Sequence, residues 1–116
     1  MKYACFIFGD DDPLPEGEHV RLRDDSLAYH EELHRKGHLL ALEALDDPQT
    51  ATTVRRRDGK LSMTDGPFAE IKEHLGGFFL IEARDLNEAI RIAGNHPAAL
   101  WDTIEIRPVI DIPKPE

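Results

Sequence analysis

Two short, uniformly apolar runs, residues 3–8 and 78–81, constrain the fold of this chain most. Short apolar runs rich in aromatic and branched side chains are typical of strands that are buried on both faces. Gly76 and Gly77 precede the second run, and we expect them to break the chain before that strand begins. The sequence therefore predicts a sheet whose central strands carry apolar side chains on both faces.

Hydrophobic periodicity predicts two helices around this sheet. The first covers residues 21–36 and has one stripe at i, i+4, i+7 and i+11, formed by Leu22, Ser26, Tyr29 and Leu33. Asp85 and Glu88 are spaced as a capping box, which predicts that a second helix begins there and ends near Gly94.

Alternation and turn residues predict the remaining strands, at residues 39–45, 50–57, 60–64 and 103–109. The second and third of these form a hairpin across Asp58-Gly59, a favoured two-residue turn. We expect one domain over residues 1–110, followed by a frayed, proline-rich tail at 111–116.

The element order predicts an α+β fold of the ferredoxin-like βαββαβ kind with an added β-hairpin. Two helices can cover only one face of such a sheet. The other face would expose an apolar patch too large for a soluble monomer. We therefore expect a homodimer in which a second copy covers this face, sheet against sheet.

Charge and cysteine content restrict the partners. The 116-residue chain has a formal net charge of -9, which argues against nucleic acid and anionic membranes as partners. The basic cluster Arg55-Arg56-Arg57 is interpreted as an exposed strand end. The single cysteine, Cys5, lies in an apolar run, so we expect a buried, inert thiol and a cytoplasmic protein.

The chain resembles the DGPF branch of the YCII-related family over residues 65–82, which are DGPFAEIKEHLGGFFLIE. The usual form of this family segment has Thr at the position of Ile71 and Gln at that of His74. The similarity extends to residues 1–3, 29–37, 51–55, 58–60 and 104–109. The resemblance implies a dimeric α/β barrel.

The segment His30-Glu31-Glu32-Leu33-His34 matches H-E-x-x-H, in which two histidines on a helix bind zinc and the glutamate is the general base. Zinc would need a third protein ligand. Leu33 marks the buried stripe, so His30 and His34 are expected on the flank of the helix. We therefore predict a solvated helix flank and no metal site, and rank a zinc hydrolase last.

The loop before the central strand contains the first candidate site. A carboxylate at a rigid turn beside apolar walls can act as an acid or a base, which makes Asp65 a candidate catalytic residue. Phe68 is a candidate substrate-binding residue. Alternatively, Asp65 caps its own turn through its side chain.

His96 is the second candidate catalytic residue. In other branches of the family, a His on the first helix and an Asp before a Pro form the proposed active-site pair. The resemblance places the Asp position at His96 and the His position at Ser26, which is a candidate substrate-binding residue or nucleophile. Alternatively, His96 is a lone polar group in a pocket or a satisfied helix-end histidine. Trp101 and Asp102 could supply a stacking wall and an anionic group, and Trp101 could equally pack in the dimer.

The leading functional hypothesis is a small-molecule-binding protein or a cofactor-independent enzyme, similar to lyases and isomerases. Its cleft between sheet and helices would be lined by Asp65, Phe68, His96 and Trp101. We expect no cofactor, because the sequence has neither a phosphate loop nor a dinucleotide fingerprint. The alternative hypothesis is a non-catalytic ligand sensor or interaction partner linked to sigma-factor transcription regulation.

Overall fold

The structure, a computed structural model, describes residues 1–69 and 71–116. Its elements are β1 (Lys2–Gly9), α1 (Glu18–Arg35), β2 (Leu39–Ala44), β3 (Thr52–Arg57), β4 (Lys60–Asp65), β5 (His74–Glu82), α2 (Leu86–Gly94) and β6 (Thr103–Pro108). Short 3₁₀ turns occupy Pro48–Thr50 and Pro97–Leu100. The protein is therefore a mixed α+β fold.

Four strands form one antiparallel sheet in the order β2-β5-β1-β6. The two central strands, β1 and β5, contain the two apolar runs of the sequence. The hairpin strands β3 and β4 form a separate two-stranded sheet. Asp58 and Gly59 have φ angles of 51° and 75°, so the predicted turn residues do form this hairpin.

The core lies between the helices and one face of the sheet. Tyr3 and Cys5 from β1 are buried there, as are Phe79 and Ile81 from β5. Both helices pack on the same core through Leu33 of α1 and Ala89, Ile92 and Ala93 of α2. Burial raises the pKa of the Cys5 thiol to about 11, so this thiol is protonated at neutral pH.

The opposite face of the sheet carries the alternate side chains of the same strands. Phe6 and Phe78 lie directly opposite each other across β1 and β5, with ring centroids 6.5 Å apart. Both are half-buried, as are Phe8 and Leu80. The apolar character of the central strands thus continues onto a face that the core does not use.

The helix ends follow the capping chemistry of the sequence. The Asp85 side chain accepts a hydrogen bond from the Glu88 N–H at 2.9 Å. The Glu88 side chain accepts from the Arg84 N–H, one residue before the position expected for a capping box. In the described ranges, neither helix has the length and hydropathy needed to span a bilayer.

The expectation that Gly76 and Gly77 break the chain is wrong, because both lie inside β5. A Cβ atom at residue 77 would lie 2.8 Å from the carbonyl oxygen of Glu43 in the adjacent β2. Glycine is needed here because the neighbouring backbone comes so close. The pair therefore marks a tight strand contact.

We expect Gly77→Ala to lower the free energy of unfolding by about 1–3 kcal/mol, because the added methyl group must displace backbone atoms of β2. Gly76→Ala is the matched control, since its Cβ would come no closer than 3.8 Å to Ile7 O. Urea unfolding monitored by circular dichroism measures both values. Equal stability of the two variants would contradict this account of the glycine pair.

Candidate functional site

His96 begins the 3₁₀ turn at Pro97–Leu100 and is buried, with 3% of its surface exposed. The backbone N–H of Ala98 donates a hydrogen bond to His96 Nδ1 at 3.0 Å. Pro97 fixes the backbone at the first position of the turn and has no N–H of its own to satisfy. The side chain of His96 therefore caps this turn.

Aromatic side chains from two elements hold the His96 ring. Phe79 of β5 stacks on it with centroids 5.0 Å apart and an interplanar angle of 16°. Tyr29 of α1 meets it edge-on at 5.6 Å. The Tyr29 hydroxyl donates to the Ile92 carbonyl oxygen at 2.6 Å, which ties α1 to α2. The ring position is thus fixed by the packing of the core.

His30 of α1 forms a hydrogen bond with His96, with 2.9 Å between the two Nε2 atoms. Because His96 Nδ1 accepts from a backbone amide, a neutral His96 carries its proton on Nε2 and donates it to His30 Nε2. His30 then carries its own proton on Nδ1. Among residues 1–69 and 71–116, this buried Nδ1 has no hydrogen-bond partner. The pair therefore presents one unsatisfied N–H donor.

Both histidines of the pair resist protonation. Burial, and to a smaller extent the neighbouring His30, lowers the pKa of His96 to about 4. Burial also lowers the pKa of His30. A protonated imidazole in this site would lose hydration without gaining a carboxylate partner. At neutral pH the pair is neutral, which agrees with the tautomers assigned above.

A cavity of about 240 Å³ lies beside the pair, between α1, the second 3₁₀ turn and the sheet. Its lining includes Ser26, His30, His96, Asp102, Glu43, Ile7 and Leu42. Asp102 lies so close to Gly9 that a Cβ atom at residue 9 would be 2.6 Å from its Oδ1. Burial raises the pKa of the Asp102 carboxyl, and the charges of Asp10 and Glu73 raise it further. Two acidic residues, a serine and two histidines thus line one cavity.

The structure brings together only some of the predicted site residues. His96 and Ser26 line the same cavity, whereas Trp101 follows the 3₁₀ turn outside that lining. Phe68 is 78% exposed and lines a different, largely apolar cavity of about 600 Å³. Asp65 ends β4, is exposed, and is not among the described residues that line either cavity.

The expected common cleft of Asp65, Phe68, His96 and Trp101 is therefore not formed. The β3–β4 hairpin is a sheet of its own and places Asp65 and Phe68 away from the core, where His96 lies. The catalytic role of Asp65 and the binding roles of Phe68 and Trp101 stay predictions.

The expectation that His30 lies on a solvated helix flank is wrong. Its ring contacts His96, while His34, the other histidine of the H-E-x-x-H match, is exposed. In the part of the chain that the structure describes, no three His, Cys, Asp or Glu side chains are grouped to hold a metal ion. His30 lies four residues after Ser26, so both face the same cavity, and helical spacing alone indicates this.

Comparison with known proteins gives three findings. The model of the YCII-related domain family matches residues 1–113. An uncharacterised protein of Rhizobium meliloti (strain 1021) is 32% identical over 114 residues, which cover 94% of this chain and 92% of that protein. A solved structure with a similar fold is the 5-chloro-2-hydroxyhydroquinone dehydrochlorinase of Burkholderia phenoliruptrix AC1100, in complex with 2,5-dihydroxybenzoquinone. It has a TM-score of 0.51 and 19% identity, and the match covers 95% of this chain and 94% of that one.

The lowered pKa of His96 predicts a pH dependence of stability. The unfolded chain takes up a proton on this residue as the pH falls below its ordinary pKa of 6.5, whereas the folded protein does so only near pH 4. The wild type therefore loses about 3 kcal/mol of unfolding free energy through His96 between pH 7 and pH 4. We expect His96→Asn, which keeps a capping oxygen for Ala98, to lack this loss.

Urea unfolding of wild type and variant at pH 7 and pH 4 measures the difference. Comparing the two pH values within each protein removes the constant cost of the lost aromatic packing. His34→Asn, which removes an exposed histidine of the same chain, is the control and is expected to follow the wild type. An unchanged pH dependence in His96→Asn would contradict the neutral, buried state of this ring.

Proposed function

This chain belongs to the YCII-related domain family, and on that premise we propose that it is a cofactor-independent enzyme, similar to lyases and isomerases, that transfers a proton on a small, oxygen-bearing ring compound. The observation that carries the proposal is the buried His30–His96 hydrogen bond in a cavity that Asp102 also lines. Titratable groups with perturbed pKa values that share a cavity are typical of active sites.

Asp102 is the proposed base. The hydrogen bonds at His96 Nδ1 and His30 Nε2 already use the ring lone pairs, so neither ring accepts a proton without breaking a bond. Burial and the charges of Asp10 and Glu73 raise the pKa of the Asp102 carboxyl, and a raised pKa makes its carboxylate a stronger base than an exposed one. It would remove a proton from a carbon next to a carbonyl group of the substrate.

His30 is the proposed donor. Its Nδ1–H lacks an acceptor within the described ranges, and a buried unsatisfied donor is costly unless a ligand completes it. A substrate oxygen that reaches this N–H after a small turn of the His30 ring would accept the hydrogen bond and be stabilised as negative charge builds up on it. His96, predicted as catalytic from the sequence, acts in this proposal by positioning His30. Ser26 keeps its proposed role in substrate binding.

The size of the cavity and the structural relative support the substrate class. A volume of about 240 Å³ suits a small ring compound. The dehydrochlorinase with the similar fold is named for a hydroxylated ring compound, and its structure holds 2,5-dihydroxybenzoquinone. In its keto tautomer this quinone has a ring CH₂ group next to a carbonyl, from which a base can remove a proton to restore the enol, so exchange of its ring protons makes it a suitable first probe.

We further propose a homodimer with the dimeric α/β barrel arrangement, in which a second copy covers the open face of the sheet. The chain exposes 8916 Å² of surface, whereas a compact protein of 13.1 kDa exposes about 6,400 Å². The excess, roughly 2,500 Å² per chain, is larger than the ~800 Å² that each partner buries in a standard interface. The half-buried Phe6 and Phe78 would lie at the centre of the covered face.

Two narrower assignments accompany this proposal. Asp65-Gly66-Pro67-Phe68 supports membership in the DGPF branch of the family. The single, buried Cys5 supports a cytoplasmic location, where thiols are kept reduced.

The catalytic proposal is tested by proton exchange on the probe. In D₂O, we expect the wild type to bind 2,5-dihydroxybenzoquinone and to accelerate exchange of its ring protons, measured by NMR. Asp102→Asn should lower the exchange rate by at least ~100-fold with little change in Kd, because it removes the base and keeps the shape. Asp25→Asn, an exposed carboxylate on α1, is the matched control and should behave as the wild type.

Two outcomes would overturn parts of the proposal. Exchange at the wild-type rate in Asp102→Asn would exclude this carboxylate as the base. Failure of the wild type to bind the quinone would exclude this class of ring compound as the ligand.

The homodimer is tested by sedimentation velocity of the wild type. We expect a species of about 26 kDa at micromolar concentration, twice the 13.1 kDa of the chain, because the open face is covered only in the dimer. A stable species of 13.1 kDa under these conditions would rule out the proposed dimer.

A further inference from the structure

The β3–β4 hairpin has one polar and one apolar face. Val54 lies directly opposite Met63, and Leu61 lies on the same side of the ribbon, opposite Arg56. These three side chains are 59%, 69% and 55% exposed. The other face is polar and carries Thr53, Arg55, Ser62 and Thr64. The apolar face of the hairpin, Val54, Leu61 and Met63, is therefore open to solvent in the single chain.

An isolated two-stranded hairpin is at best marginally stable in water and needs a surface to pack against. The hairpin is separate from the four-stranded sheet, and none of its residues is among the described residues that form the buried core. An exposed ribbon that carries a cluster of exposed apolar side chains is typical of an interaction element.

The dimensions of the chain favour a second copy as the partner. The radius of gyration is 16.5 Å, whereas a compact domain of this length has a value of about 13 Å. The chain is thus extended as well as rich in exposed surface, which is typical of a protomer whose projecting parts are covered in an assembly.

Charge also favours a second copy. Residues 52–65 contain four basic side chains, Arg55, Arg56, Arg57 and Lys60, against the two acidic side chains Asp58 and Asp65. The whole chain has a net charge of -9, so the hairpin is positive and the rest of the protein is strongly negative. A positive hairpin is attracted to the negative body of another copy.

We propose that the apolar face of the hairpin packs against a second copy of this chain and holds the dimer together outside the sheet-on-sheet contact. The inference rests on the homodimer proposed above and adds the hairpin to its interface. In a two-fold symmetric dimer, both hairpins make the same contact, so one substitution acts twice.

The test compares two glutamate substitutions at adjacent positions of β4. Met63→Glu places a charge on the apolar face, whereas Ser62→Glu places the same charge on the polar face beside Arg55. Sedimentation velocity over a concentration series gives the dimer Kd, and circular dichroism reports folding. We expect Met63→Glu to raise the Kd by roughly 100-fold or more, and Ser62→Glu to change it by less than about threefold.

The outcomes separate this inference from the homodimer itself. A monomeric wild type overturns both. A dimeric wild type whose Kd changes in neither variant overturns only the role of the hairpin. Equal weakening by both variants also overturns that role, since charge alone would then be responsible. If Met63→Glu fails to fold, the isosteric Val54→Thr tests the same face and should raise the Kd about tenfold.

Nucleic acid is the competing partner for a basic hairpin. Fluorescence anisotropy of a labelled 20-base oligonucleotide measures this binding directly. Loss of oligonucleotide binding in Met63→Glu with an unchanged dimer Kd would assign the hairpin to nucleic acid and overturn the inference.

Discussion

The fold depends on the burial of two central strands that are apolar on both faces. β1 and β5 pair along their length, and one face of each, with Cys5 and Phe79 opposite one another, meets both helices. Hydrophobic stabilisation is proportional to the apolar area removed from water. Because the helices cover one face of these strands, they bury only about half of the apolar surface that the strands carry. The other face, with Phe6 and Phe78, is only half-buried in the single chain.

The same core determines the chemistry of the candidate site. The ring of His96 is held by Phe79 and Tyr29, which belong to the packed interior. Because a backbone amide fixes one ring nitrogen, the proton positions follow along the hydrogen bonds to His30 without further choice. The site is therefore preorganised by packing, and the Asp102 carboxyl, which lines the same cavity, takes part in neither of these two hydrogen bonds.

Local sequence patterns predicted local structure well and distant contacts poorly. The apolar runs, the N-cap residue Asp85 and the Asp58-Gly59 turn each act over a few residues, and the structure agrees with them. The role of Gly77 depends on Glu43 of a neighbouring strand, which no local pattern reveals. Likewise, His30 contacts His96, which is 66 residues away in the sequence. The positions of Asp65 and Phe68 depend on the β3–β4 hairpin, which is separate from the main sheet.

Residue 96 has two separable tasks, and this has a consequence for how the family can diversify. Any short side chain with an acceptor, including the Asp that the family resemblance places here, can cap the turn and so preserve the backbone. The rest of the side chain determines which chemical group lines the cavity: an imidazole, an amide or a carboxylate. Substitutions at residue 96 can therefore change the reactivity of the cavity while the fold stays the same.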